Sequence, residues 1–285
     1  MSSLSIIIPA KNEENGLAGI LPTLRTKYPD AEIIVVDDCS TDGTGRICEL
    51  HRVTILRHPY SMGNGAAVKT GARAASGDIL IFMDADGQHD PADIPLLLNK
   101  LAEGYDMIVG SRGAASQASV GRMGANFAYN ALASWIVNQN IADLTSGFRV
   151  IRADKFREFL HLLPNGFSYP TTITMSFFRA GYAVGYVPIT VKRRMGRSHI
   201  NPFRDGVRFF LIIFKIGTLY SPLKMFLPFS LLFFLTGAGY YAYTFLTLNR
   251  FTNMSALLLS VSVLIFLIGL VSEQITMLLY SRRGH

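Results

Sequence analysis

The stretch ILIFMDADGQHD, residues 79–90, runs five apolar residues straight into Asp84, Asp86 and Asp90. A run this apolar and this short, closed by Asp and Gly, reads as a strand buried on both faces. Acidic side chains at its exit are then poor core material and good ligands. Asp84 and Asp86, one residue apart, can converge on one hard cation if the backbone turns, as Gly87 permits. Asp90 opens DPAD, where Asp before Pro marks a helix N-cap with proline at the first helical position. Capping or loop solvation is the structural alternative for Asp84 and Asp86 as well, because Asp-x-Asp alone is a weak signal.

Outward from this strand, LSIIIPA, EIIVVDD, VTILRHP and YDMIVGSR are further short apolar runs. The segments between them carry helical spacing, such as Leu17, Ile20, Leu21 and Leu24. Strand and helix in alternation predict an α/β fold, a mostly parallel Rossmann-like sheet covered on both faces. Such sheets bind ligands at the carboxyl ends of their strands, beside a topological switch point. IPAKNEE (residues 8–14), VVDDCSTDGT (35–44) and MDADGQHD (83–90) all fall at such exits. Asp37 and Asp38 can accept hydrogen bonds from a base or ribose there, whereas Ser40 and Asp42 read as caps of the next helix. MGNGAAVKTG (62–71) has the glycines of a dinucleotide fingerprint but follows the third strand instead of the first, so it reads as a tight helix start.

The remainder of the chain has a different composition. Only Glu273 among the acidic residues follows Asp205, and residues 225–248 and 254–272 contain no charged side chain. A helix needs about 20 apolar residues to cross a bilayer, so two transmembrane helices are expected, with a buried helical hairpin as the alternative. Between them and the α/β part, residues 201–222 mix aromatic residues with Arg204, Arg208 and Lys215, a pattern of amphipathic interface helices. The expected division is 1–200, 201–222 and 223–285. No signal peptide is legible in MSSLSIIIPAKNEE. Arg204, Arg208, Lys215 and Lys224 before the first span and Arg282 and Arg283 after the second put both ends on the cytoplasmic side. The net charge of +7 is concentrated near these segments, which fits an anionic leaflet and not a nucleic acid. Cys39 and Cys48 form neither a metal nor a disulfide framework.

The three exit motifs, in this order and spacing, resemble those of the family 2 glycosyltransferases, which have the GT-A fold and use nucleotide-activated sugars. GSR at 110–112, DLTSGFRVIR at 143–152 and the basic loop KRRMGRSH at 192–199 are similar to the polyprenyl-phosphate glycosyltransferases, a group with dolichyl-phosphate mannose synthases and bacterial undecaprenyl-phosphate sugar transferases. The resemblance covers effectively the whole chain. It implies that Pro9, Ala10, Glu13, Val36 and Asp38 contact the nucleotide, that Asp84, Ala85 and Asp86 meet a Mg²⁺ or Mn²⁺ ion and the diphosphate, and that Gln88 meets the donor. It places Arg112, Arg122, Asn126 and Arg194 at the acceptor phosphate and Asp143 as a further catalytic candidate, against a plain turn in DLTSG. His199 departs from the pattern, a lysine being common there, so the loop's charge near neutral pH depends on a group with an ordinary pKa of about 6.5.

The implied reaction is inverting transfer of one sugar from a nucleotide-sugar, a UDP-sugar by the wording of DADGQH, to polyprenyl phosphate. A GDP-mannose donor is the alternative. A lipid phosphate is already anionic and needs positioning more than a strong base, a task that arginine forks suit. Arg149 reads either as an internal ion-pair partner or as a ligand contact, and Glu273 as interfacial or intersubunit, leaving a homo-oligomer open. A processive synthase would be expected to carry a Gln-x-x-Arg-Trp signature, and the only tryptophan is Trp135 in LASWIV. A catalytically silent sugar-nucleotide-binding subunit is a third reading, against which Asp84, Asp86, Arg112 and Arg122 stand.

Overall fold

A computed structural model describes residues 2–112, 120–166, 169–191, 214 and 217–281, with side chains left undescribed at 120–128 and 279–281. The chain divides into two compact units, residues 1–134 with 139–200 and residues 135–138 with 201–285.

The first unit is built on strands β1 (Leu4–Ala10), β2 (Glu32–Asp37), β3 (Thr54–Arg57), β4 (Ile79–Phe82), β5 (Met107–Arg112), β6 (Arg149–Arg152) and β7 (Val184–Ile189). They form one sheet in the order β3-β2-β1-β4-β6-β5-β7. All pairings are parallel except those of β6, which runs antiparallel to β4 and β5. The five expected strands are present. The reversal at β6 makes the sheet mixed, and β7 adds an edge strand beside β5. The period-2 alternation of β1 sends Ile6 and Ile8 to one face and Ile7 to the other, all fully buried.

The helices are α1 (Glu14–Lys27), α2 (Thr44–Leu50), α3 (Asn64–Ala74), α4 (Ile94–Ala102), α5 (Val120–Val137), α6 (Ala153–Glu158) and α7 (Tyr169–Arg179). On one face of the sheet, Leu17, Ile20, Leu21 and Leu24 of α1 join Ile94, Leu97 and Leu101 of α4 in the main core. On the other, Phe82 of β4 lies 4.7 Å from Phe156 and 6.3 Å from Tyr169, ring to ring. Asp90 caps the turn it was expected to cap, accepting from the Ala92 N–H at 2.9 Å. Asp42 accepts from the Thr44 and Glu14 N–H groups while Glu14 accepts from Gly43, so α1 and α2 start by capping one another. Ser40 accepts from the Asn12 N–H and braces the same junction.

The second unit contains α8 (Pro222–Leu248) and α9 (Asn253–Ser281). Both are long and apolar enough to cross a membrane. Among the described residues, all but four of the exposed large apolar side chains lie between Leu227 and Leu278, which a buried soluble hairpin would not tolerate. Ser230 and Ser262 bind reciprocally, each hydroxyl donating to the other's carbonyl at 3.0 and 2.9 Å. Glu273 accepts from the Leu223 N–H at 3.2 Å, satisfying one of the free donors at the start of α8. That assigns Glu273 a contact within the hairpin. The amphipathic segment expected at 201–222 lies largely outside the described residues.

Candidate active site

The exits of β1, β2 and β4 are adjacent because β1 sits between β2 and β4, the switch point at which an open sheet forms a crevice. A cleft of about 490 Å³ opens there, lined by Pro9, Ala10, Lys11, Glu13, Asp38, Ser61, Gly63, Asn64, Ala67, Asp84, Ala85 and Asp86. Of the residues expected to meet a nucleotide-sugar or metal, Pro9, Ala10, Glu13, Asp38, Asp84, Ala85 and Asp86 are thus brought together. Val36 is outside the cleft lining, fully buried in β2, where strand alternation sends its neighbour Asp37 to the opposite face. Gln88 is outside the cleft lining, and its N–H donates to Asp86 Oδ1 at 3.1 Å.

The carboxylates of the site differ in how far they are already satisfied. Asp38 is 4% exposed. Its Oδ1 accepts from His58 Nδ1 and the Met62 N–H, both at 2.7 Å, and its Oδ2 from Ser61 Oγ at 2.7 Å and the Gly63 N–H at 3.0 Å. Four donors fill the acceptor positions of a carboxylate. Asp38 stands in the cleft lining where it was expected, and these bonds make it shape the loop that carries Ser61 and Gly63 there. Burial opposes its ionisation, and the hydrogen bonds led by His58 outweigh that, bringing its pKa down to about 2.

Asp84 is the contrast. Its N–H donates to His89 Nδ1 at 3.3 Å, but its carboxylate accepts no hydrogen bond from the described residues. His89 is buried and stacked on Phe148 at 5.0 Å, so it anchors the Asp84 backbone from the core side. Gly87 turns the chain with φ +71°, which lets Asp86 return to the same cleft. Gly147 approaches Asp84 so closely that a Cβ there would lie 2.7 Å from Asp84 Oδ2. Asp84 also lines a second chamber of about 110 Å³ with Asn64, Thr145, Gly147, Tyr169, Pro170 and Thr171. His89, Gly147 and Tyr169 went unnoticed in the sequence. A histidine three residues beyond Asp86 was the only local signal for the first of them.

Arg112 and Asp143 are brought together, and with each other. Arg112 Nε and Nη2 reach the two Asp143 oxygens at 2.8 and 3.0 Å, and Nη2 also reaches Thr145 Oγ1. Asp143 further accepts from the N–H groups of Arg112, Thr145 and Ser146. Burial raises the Asp143 pKa, but the Arg112 fork and these backbone donors outweigh it, so the group lies below the ordinary range. Burial likewise lowers Arg112, and Asp143 more than restores it. Asp143 thus anchors its own turn, the alternative that DLTSG suggested. Arg112 does not present an empty fork to an acceptor phosphate, because Nε and Nη2 are engaged inside the chain.

Arg149 fits neither expectation, being an ion-pair partner or a ligand contact. It is fully buried, donating to the carbonyls of Ser146 at 2.7 Å and Leu144 at 3.2 Å and to Thr174 Oγ1 at 2.6 Å. It fixes residues 144–146 from beneath, and burial lowers its pKa without discharging a guanidinium. Arg122 and Asn126 fall on α5, and their side chains, like Arg194 and His199, lie outside the described residues. Cys48 is buried, which pushes its thiol up to about 11, and Cys39 is exposed; both are free.

Comparison with known proteins agrees with this geometry. Residues 5–160 match the Glycosyl transferase family 2 domain, and residues 221–278 match the GtrB C-terminal hairpin. Undecaprenyl-phosphate mannosyltransferase of Micrococcus luteus is 32% identical over 68% of this chain and 86% of its own length. Glycosyltransferase AglJ of Haloferax volcanii is 27% identical over 96% of this chain and 93% of its own. Among solved structures, glucosyl-3-phosphoglycerate synthase from Mycobacterium tuberculosis, in complex with Mn²⁺ and uridine-diphosphate-glucose, aligns with a TM-score of 0.61 and 22% identity over 74% of this chain and 77% of that one. The chain belongs to glycosyl transferase family 2, as a glycosyltransferase of the GT-A fold with a C-terminal hairpin of the GtrB kind.

Proposed function

We propose that the protein transfers a single sugar from a nucleotide-sugar to polyprenyl phosphate at the cytoplasmic leaflet, with inversion at the anomeric carbon. The observation that carries this reading is the Asp84 carboxylate, which accepts no hydrogen bond from the described residues although its backbone N–H is tied to His89, at the junction of a 490 Å³ cleft and a 110 Å³ chamber. A charge kept this poorly satisfied fits a site completed by a ligand.

Asp84 and Asp86 are the residues that would hold a Mg²⁺ or Mn²⁺ ion. The donor set fits: two carboxylates line the one cleft, and a hard cation of six or more oxygen ligands would draw the rest from the diphosphate and water. Bound there, the ion would compensate charge on the departing diphosphate. The chain's own contribution is positional. Pro9, Ala10, Glu13 and Ala85 wall the nucleotide cleft, with Lys11 offering a cation at its rim. The acceptor oxygen attacks the anomeric carbon as the nucleoside diphosphate leaves with the bonding pair, so no proton must be removed from the nucleophile. Arg122, Asn126 and Arg194 are proposed to hold the acceptor phosphate.

The acceptor class rests on the Micrococcus relative's name together with the hairpin. Both fit a division into a catalytic part at 1–200, a juxtamembrane segment at 201–222 and a bilayer hairpin at 223–285. A UDP-sugar donor follows the wording of DADGQH. A mannosyl donor is the second reading, favoured by the same relative. Detergent-solubilised protein, a short polyprenyl phosphate, Mn²⁺ and a panel of radiolabelled UDP- and GDP-sugars test it. Label entering the organic phase from one donor is expected; none from any donor, with nucleotide still bound, would overturn the reading.

A further inference from the structure

The 110 Å³ chamber beyond Asp84 has no assigned occupant. Asn64 and Asp84 line both it and the larger cleft, so they stand at the opening between the two. Its remaining wall, Thr145, Gly147, Tyr169, Pro170 and Thr171, carries no charge. All three of its hydroxyls are engaged. Tyr169 donates to the Gly147 carbonyl at 3.4 Å, Thr171 Oγ1 pairs with Tyr129 at 2.8 Å, and Thr145 Oγ1 lies between Arg112 and Asp143.

Asn64 is different. Its exposed side-chain amide has no hydrogen bond among the described residues. The first turn of α3 is tied elsewhere: the Gly65 and Ala66 N–H groups donate to the carbonyls of Gly166 and Asn165 at 3.2 and 2.8 Å. A Cβ at Gly65 would lie 2.0 Å from the Pro164 carbonyl oxygen. The GNG pattern thus pins the helix start against residues 164–166, removes these two N–H groups from phosphate binding, and leaves the Asn64 amide at the opening with donors and an acceptor unused.

We propose that this chamber receives the glycosyl group of the donor, that Asn64 hydrogen-bonds its hydroxyls, and that the site selects an uncharged hexosyl group over a uronic acid. The inference rests on the transferase reading. An amide that can both donate and accept suits a sugar hydroxyl, which does both. A glycosyl carboxylate would lose its hydration in a chamber whose lining offers it no cationic side chain.

Binding and not turnover is the test, so that absent transfer would count against the transferase reading and leave this comparison standing. Full-length protein in detergent with Mn²⁺ is titrated with UDP, UDP-glucose and UDP-glucuronic acid, and in parallel with GDP and GDP-mannose. Asn64→Ala is expected to weaken the sugar nucleotide about tenfold, the scale of one lost hydrogen bond, and the free nucleoside diphosphate less than about twofold. Equal losses for both, or none for either, overturn the assignment of the chamber. Wild-type protein binding UDP-glucuronic acid as tightly as UDP-glucose overturns the selection for an uncharged group.

Discussion

Asp38 and Asp84 line one cleft as the same residue type at two strand exits, and their surroundings give them opposite work. With four donors and a pKa near 2 in the folded chain, Asp38 contributes stability that is fully present above the ordinary carboxyl pKa of about 4 and lost as pH falls through about 2. Asp38→Asn is accordingly expected to cost about 2 kcal/mol at pH 7 and to flatten the acid side of a denaturation profile between about pH 4 and 2. An unchanged profile would remove Asp38 from its structural role. Asp84→Asn should act differently. It removes charge from a carboxylate that accepts no hydrogen bond among the described residues, so transfer should fall at least about 100-fold while the melting temperature holds or rises. Wild-type turnover in that variant would refute the assignment. Sequence reading found both aspartates but could not rank them, because the donors on Asp38 arrive from residues 58–63, some 20 positions along the chain.

At the scale of elements, the turn at residues 143–147 before β6 acts as one piece. Arg149 holds it from beneath through two carbonyls, Asp143 closes it onto Arg112, and Gly147 brings its backbone against Asp84. Gly147→Ala would place a methyl 2.7 Å from Asp84 Oδ2, so the carboxylate must move. Transfer should drop at least about tenfold, a misplacement effect, with the circular dichroism spectrum unchanged; full activity would show the contact to be slack. In the hairpin, the Ser230–Ser262 pair crosses α8 and α9. A double-alanine cycle should give a coupling of about 0.6 kcal/mol, the usual scale for such bonds in lipid, read from unfolding in detergent. Additive single substitutions would mean that the two bonds are made independently of one another. Neither device was legible in the sequence, since DLTSG reads locally as a turn and a serine in an apolar run is ordinary.

For the whole molecule, every residue lining the 490 Å³ cleft belongs to the first unit. A chain ending at residue 221 is therefore expected to bind nucleotide within about threefold of the full-length affinity while floating with liposomes less than the full-length chain. Loss of nucleotide binding would mean that the hairpin shapes the donor site. One complication is already visible in the second unit, where Lys224 Nζ donates to the carbonyls of Trp135 and Ile136 and to Asn138 Oδ1. Truncation removes that cap from the end of α5, so fraying of this helix, followed by exchange at residues 135–138, is the accompanying expectation.

The order of short apolar runs, the Asp-rich exits and the two uncharged stretches near the C-terminus were sufficient by themselves to determine a parallel-type sheet, the place of its ligand cleft and two helices of bilayer length. Each is a local pattern, fixed by side-chain periodicity and by where polar groups can stand at a strand end. Tertiary structure alone decided the antiparallel β6, the saturation of Asp38 and Asp143, the internal engagement of Arg112 and the burial of Arg149. A hydrogen-bonding group can be recognised in a sequence, but whether its donors and acceptors are already taken depends on partners that only folding brings within about 3 Å.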